Sequence, residues 1–378
     1  MGQIVAAMAT VHAPQLFTRP PEEDPRQLDA DIAAMGRLGD VLDETRPDAL
    51  VIFGSDHLET FFLQSVPTFA VIAGERATAA FAGKTYAPPV HQALAEDLLD
   101  KLVRADFDMA YSQEALLGHS FAAPFEWVLG RREIPVVPVF INTYLPPLPS
   151  PRRCAALGKA VAEIIAARPE RVALLASGGM SHYPGTWRYY QPDYAFDRWC
   201  IEELENGNSA AFLNLTVEQL DEVGNTEMLP WAAVLGAIGE QHMELLSYQP
   251  TSHHGHAVAR FHPGPASEAR PRSAEPYRFR NEGYEFYKHP SLASYRLNKL
   301  LYESRHKPAL RLRMLQDMDA VGTEYGLTAL EIEALRALSP DPLVKVGAHP
   351  LGALMAVHVL QADRRKMQAA ATKGASAE

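Results

Sequence analysis

The chain has 378 residues, 47% of them apolar and 21% charged, the balance of an ordinary globular protein with two or three domains. A net charge of -11 and a pI near 5.7, with no basic stripe, exclude nucleic acid as a partner, because phosphate binding needs clustered Lys and Arg. No apolar run approaches the ~18 residues of a membrane span, and the amino terminus lacks the basic and apolar regions of a secretory signal, so a cytoplasmic protein with no membrane partner is expected.

In chain order, Gly2 to Ala9 reads as a strand that runs into Thr10-Val11-His12-Ala13-Pro14. A Pro-rich loop follows, and Arg26 to Glu44 carries helical spacing through Leu28, Ile32, Met35, Leu38 and Leu42. Ala49 to Phe53 is a buried strand that passes through Gly54-Ser55-Asp56 to His57. Phe69 to Ala73 is another strand, Val90 to Arg104 a helix, and Phe107 to Tyr111 a short strand before Gly118-His119-Ser120. Ile134 to Ile141 is apolar and β-branched, but Pro135 and Pro138 predict an edge or a distorted segment. Ser150-Pro151 opens the next helix with a cap and a proline at the first helical position.

Arg171 to Ala176 is the cleanest strand, and it delivers Ser177-Gly178-Gly179-Met180-Ser181-His182. The paired glycines permit close backbone approach. Helices are predicted over 193–205 and, from a capping box at Thr216 and Gln219, just beyond it. Pro230 cannot sit in a helix interior, so the helix running to Gly239 should begin near Thr226, with Glu227 in its first turn. Glu244 to Gln249 reads as the last strand, followed by the loop Thr251-Ser252-His253-His254-Gly255-His256.

Residues 262–290 lack periodicity and read as a linker or wrapping arm. Residues 291–368 are helical throughout, including a capping box at Thr328 and Glu331 with Ile332, Leu335 and Leu338 on one face. Residues 369–378 read as a disordered tail. The expected fold class is therefore α/β, a layered mixed-sheet catalytic domain over residues 1–261 followed by a small all-α domain. Cys154 and Cys200, with no CxxC spacing, read as buried small hydrophobes.

Each histidine alone reads as an ordinary loop residue. Together, His12 and His57 at strand ends and Glu227 at a helix start supply two imidazoles and one carboxylate, the facial set of non-haem Fe(II) oxygenases, and zinc accepts the same ligands. His182 on its glycine loop suits a proton shuttle, with an unperturbed pKa of about 6.5.

The ordered series His12-Ala13-Pro14, Ser55-Asp56-His57, Gly118-His119-Ser120, Gly178-Gly179-Met180-Ser181-His182 and Glu227-Met228-Leu229-Pro230-Trp231 resembles the class III extradiol ring-cleavage dioxygenases. More closely it looks like the protocatechuate 4,5-dioxygenase and gallate dioxygenase branch, residues 1 to about 260 corresponding to its large subunit. Tyr295-Arg296-Leu297-Asn298-Lys299-Leu300 and the following helices are similar to its small helical subunit, fused behind. The resemblance implies Fe(II) held by His12, His57 and Glu227, His182 as the acid/base residue, and His119 as a second catalytic histidine near the substrate hydroxyls. It also implies a substrate-binding loop at Thr251, Ser252 and His253, although His253 and His254 stand where the family has Asn and Thr. The order Gly118-His119 likewise reverses the family's His-Gly. The implied partners are O2 and a small aromatic diol or heterocyclic equivalent, cleaved beside the diol, in a homo-oligomer, most simply a dimer. Two rival readings stand beside this one: a zinc hydrolase or lyase on the same ligands, and a non-catalytic binding protein on the same scaffold.

Overall fold

The computed structural model describes residues 2–264, 276–280 and 283–375. The chain divides into two compact units. One comprises Met1–His182 with Tyr190–Glu285, the other Tyr183–Tyr189 with Phe286–Glu378.

The first unit is built on an eight-stranded mixed sheet. Its strands are β1 (Gln3–Thr10), β2 (Ala49–Gly54), β3 (Phe69–Ile72), β6 (Met109–Ser112), β7 (Val136–Ile141), β8 (Arg171–Ser177), β9 (Met243–Pro250) and β10 (Gly255–Phe261). β4 (Ala79–Phe81) and β5 (Lys84–Tyr86) form a separate small hairpin. The sheet order is β6-β3-β7-β2-β8-β1-β10-β9. The four central strands β7, β2, β8 and β1 are mutually parallel, whereas β3 joins β7 and β10 joins β1 in antiparallel fashion.

β2 and β7 are buried at every residue, as expected of parallel strands covered on both faces. Two groups of helices supply that cover. Pro25–Thr45, capped by Asp24 with proline at its first position, packs against β1, β9 and β10. Pro151–Ala166, capped by Ser150, packs against Leu229–Ile238, and both touch β1. Buried Leu, Ile, Val and Phe side chains in the resulting core contribute roughly 1.5–3 kcal/mol each. Cys154 and Cys200 are buried free thiols within it.

Three expectations are corrected. The proline-bearing strand β7 is not at an edge, since it lies between β3 and β2. The reason is local. Val136 bonds Pro89 and His91 on one side through both its N–H and its C=O. By the two-residue period Pro138 presents that same side, in the gap before β3 pairs with Val139–Ile141, so its missing N–H leaves no ladder position unmet. Secondly, β9 is not the last strand. The chain turns at Thr251–His254 and returns as β10, bonded to both β9 and β1. Thirdly, the final helix runs Pro350–Ala375, well into the segment expected to be a disordered tail, while 376–378 lie outside the described residues. That stretch opens with Ala369, Ala370 and Ala371, strong helix formers, so it continues the helix already started at Pro350.

The expected linker overlaps residues 265–275 and 281–282, which lie outside the described residues. Its described parts hold to the first unit through Tyr277 to Asp193, Arg280 to Glu222, and the Glu285 N–H to Asp221. The second unit is helical, with a core of Leu297, Leu300, Leu301, Met314, Leu335 and Val357 among others. Both capping boxes read from the sequence, at Thr216 and Thr328, form.

Candidate active site

Parallel strands end at the same edge of a sheet, and open α/β sheets place ligands outside those carboxyl ends. His12 lies just beyond β1, His57 just beyond β2, Tyr144 just beyond β7 and His182 just beyond β8. Glu227 reaches the same edge from a 3-10 turn, Thr226–Met228, that precedes the helix Leu229–Ile238. Pro230 therefore sits in the first turn of that helix, and the tighter turn before it carries the carboxylate. At Gly178 an added Cβ would stand 2.0 Å from the Glu227 carbonyl oxygen, and at Gly179 another would stand 1.9 Å from His254 Nε2. Paired glycines thus let Glu227 and His254 close onto the loop that bears His182.

Glu227 is fully buried at the centre of the cluster. Its Oε1 is 2.6 Å from His57 Nε2 and accepts from the Tyr144 hydroxyl at 2.9 Å. Its Oε2 is 3.1 Å from His12 Nε2, 3.5 Å from His182 Nε2, and accepts from the Gly179 N–H at 3.0 Å. His12 is oriented by Ser177, whose Oγ lies 3.0 Å from its Nδ1 and itself donates to the Ser120 carbonyl. The His119 ring lies 3.9 Å from that of His57 and 5.4 Å from that of His12. Ligand atoms of His12, His57 and His119 lie within 4.8 Å of one another, as do those of His182, Glu227 and His254.

Burial penalises charge on the imidazoles. It pushes His57 down to about 3, helped by His119 beside it, and lowers His182 as well. Burial works to raise Glu227, but the imidazoles of His12, His182 and His57 outweigh it and hold the carboxyl well below its usual range. Among the described residues no Lys or Arg is buried, so no fixed cation balances this carboxylate from within the core. A buried anionic carboxylate beside His57 and His182, whose imidazoles burial biases toward the neutral form, presents the protonation states a divalent metal requires. The donor set fits a non-haem iron site.

His182 Nδ1 is 2.8 Å from the Met180 carbonyl, which places a proton on that nitrogen and leaves Nε2 as the acceptor in the neutral ring. The Tyr144 oxygen is 2.9 Å from that Nε2. With a single proton, the Tyr144 hydroxyl serves His182 or Glu227 at any moment.

All five of His12, His57, His119, His182 and Glu227 are thus gathered at one sheet edge. The loop residues behave differently. The Thr251 hydroxyl donates to the His254 carbonyl. The Ser252 hydroxyl and the His253 Nδ1 both turn to Glu23, at 2.6 and 2.8 Å. His254, one residue further, stacks on His182 with ring centroids 3.9 Å apart and 19° between planes. His256 is buried against Asp31 at 2.8 Å, and Asp31 also accepts from Ser247.

Sequence reasoning missed Tyr144, and it named His254 only as a departure in the loop, without its contact to His182. Tyr144 follows the end of a central parallel strand as His57 does, and that shared position was its available signal. The contact of His254 with His182 arises from the turn into β10, which no local pattern announces.

A family model described as the catalytic LigB subunit of aromatic ring-opening dioxygenase matches residues 6–262. A Burkholderia vietnamiensis protein named 2,3-dihydroxyphenylpropionate/2,3-dihydroxicinnamic acid 1,2-dioxygenase is 36% identical over 244 residues, covering 52% of this chain and 77% of its own length. A Klebsiella pneumoniae protein of the same name is 37% identical over 139 residues, 36% of this chain and 44% of that one. The solved structure of an uncharacterized Escherichia coli K12 protein overlays with a TM-score of 0.46 at 18% identity, covering 68% of this chain and 99% of that one.

Proposed function

The chain belongs to the family of catalytic LigB subunits of aromatic ring-opening dioxygenases and is an extradiol ring-cleavage dioxygenase; from that premise we propose how its own residues do the work. Fe(II) is held by His12, His57 and Glu227. The observation that carries this reading is the approach of one buried carboxylate to both strand-end imidazoles, 2.6 Å to His57 and 3.1 Å to His12. Iron, when bound, supplies redox coupling between an electron-rich vicinal diol and O2.

The residues around it position and move protons. The neutral Nε2 of His182 takes a proton from a substrate hydroxyl and later returns it to a product oxygen, its tautomer fixed by the Met180 carbonyl. Tyr144, its hydroxyl 2.9 Å from both His182 Nε2 and Glu227 Oε1, positions those two groups relative to each other. His119, packed between His57 and Phe81, borders the diol position and shields it from water. The overall change inserts both atoms of one O2 into the ring, which opens beside the diol.

Anaerobic loading with Fe(II), followed by oxygen uptake with vicinal diols and 18O2 labelling, tests this. Two labelled atoms in the ring-opened product are expected. Turnover that is indifferent to oxygen would favour the zinc hydrolase or lyase instead. A cytoplasmic homodimer completes the reading, and sedimentation checks the dimer.

A further inference from the structure

Resting on the reading just given, we propose that the ring this site accepts carries no carboxylate, and is an uncharged vicinal diol, carbocyclic or a nitrogen heterocycle. The motivation is a resident anion. The turn Thr251–His254 lies beside the acid/base histidine, with the Met180 N–H bonded to the Gly255 carbonyl, the Gly255 N–H to the Ser181 carbonyl, and His254 stacked on His182. A turn with a free hydroxyl, a free amide N–H and an imidazole N–H would make a site for a substrate carboxylate.

Here those donors are already spent on Glu23. Its Oε1 lies 2.6 Å from the Ser252 hydroxyl and 2.8 Å from His253 Nδ1, and its Oε2 accepts from the Ser252 N–H at 3.3 Å. The Glu23 side chain is 2% exposed, so its charge is not screened by bulk water. On the far side of the His253 ring, Gln15 Nε2 approaches His253 Nε2 at 2.6 Å, which turns Gln15 Oε1 into a buried acceptor with no partner among the described residues.

The same pattern surrounds the rest of the cluster. His119 has Glu59 at 3.8 Å and His256 has Asp31 at 2.8 Å. His119, His253 and His256 thus each face a carboxylate, and among the described residues no buried Lys or Arg offsets them. An incoming carboxylate would meet like charge in a poorly screened setting and find its donors occupied. A neutral ring pays neither cost, and an N–H or O–H on it suits the acceptor left on Gln15. The His254 Nε2, buried and without a partner among the described residues, takes either role as a neutral imidazole.

A pair of ligands of one shape and different charge isolates the effect. Binding of 3,4-dihydroxybenzamide and of 3,4-dihydroxybenzoate to the full Fe(II)-loaded chain is measured by calorimetry without oxygen, in the wild type and in Glu23→Gln. The wild type should bind the amide at least about tenfold more tightly, and Glu23→Gln should shrink that ratio by about tenfold, each factor of ten being one decade in Kd. Equal or tighter binding of the acid by the wild type, no binding of either ring, or a ratio unmoved in a folded Glu23→Gln would overturn the proposal. Should Glu23→Gln fail to fold, the wild-type ratio decides alone. Oxygen uptake, measured separately, reports on the dioxygenase reading, so a preserved amide preference without oxygen consumption counts against that reading and not this one.

Discussion

Two neighbourhoods at the same sheet edge use the same residue types to opposite ends. At the centre, one carboxylate, Glu227, is shared by His57, His12 and Tyr144, with His182 close by, so more lone pairs converge than protons can satisfy. Around the loop, two of the three imidazoles have their own carboxylate, His253 with Glu23 and His256 with Asp31, while His254 stacks on His182. Convergence without one-to-one pairing is what a metal centre needs, whereas matched pairs are self-contained and serve to shape the wall. The count of histidines in a stretch of sequence therefore says less about metal binding than how many of them share one acid.

Substitutions at the two places should separate along that line. The largest effect is expected at the shared acid, where Glu227→Gln should abolish stoichiometric iron binding and lower turnover by more than the about 10–100-fold typical of an outer partner. Metal analysis after anaerobic loading checks it, and full iron content would remove Glu227 from the ligand set. Next, His182→Ala should keep iron yet lose about 10²–10⁴ in turnover, the usual worth of a positioned acid/base group. Normal turnover in that variant would end its proton role. Tyr144→Phe should cost less, about 10–100-fold, mainly in kcat, with iron retained. An effect confined to KM would argue that Tyr144 touches substrate only.

In the matched-pair region the readout changes from activity to stability. Asp31→Asn leaves His256 without its carboxylate in a fully buried position and should destabilise by roughly 1–3 kcal/mol in denaturant titration while iron content stays unchanged. Loss of iron there would blur the distinction between the two regions. The smallest effect concerns Asp197, a buried carboxyl that accepts from the Ser181 N–H, Asn225 and Tyr248. Burial pushes its pKa up to about 7, from 3.8 in the absence of the fold, against the pull of those hydrogen bonds. Between those values the folded chain keeps a proton that the unfolded chain releases, so this group's contribution to stability falls as pH rises from about 4 to about 7 and is level above. Asp197→Asn should remove that part of the slope. An unaltered stability profile between pH 4 and 7 would show that Asp197 is ionised throughout.

Much of the centre was legible in the chain because each residue there follows a strong local signal. His12, His57 and His182 each come after an apolar strand, and Pro230 put a helix start within a few residues of Glu227, which sits on the 3-10 turn just before that helix. The rim was not legible for a matching reason. Glu23 and His253, or Asp31 and His256, are separated by more than two hundred positions and meet only because β10 inserts beside β1 under the helix Pro25–Thr45. Tyr144 was hidden by Pro138, which suggested an edge strand until the gap between the Pro89–His91 bridge and β3 explained it.

Strand and helix identity, the strand-end histidines and the acid at a helix start follow from periodicity and from proline and glycine stereochemistry, which act over a few residues and can be read in order. Which acid each imidazole meets was decided by tertiary structure alone, because hydrogen-bond partners in a folded sheet are chosen by strand order and register, and neither is encoded in any single segment.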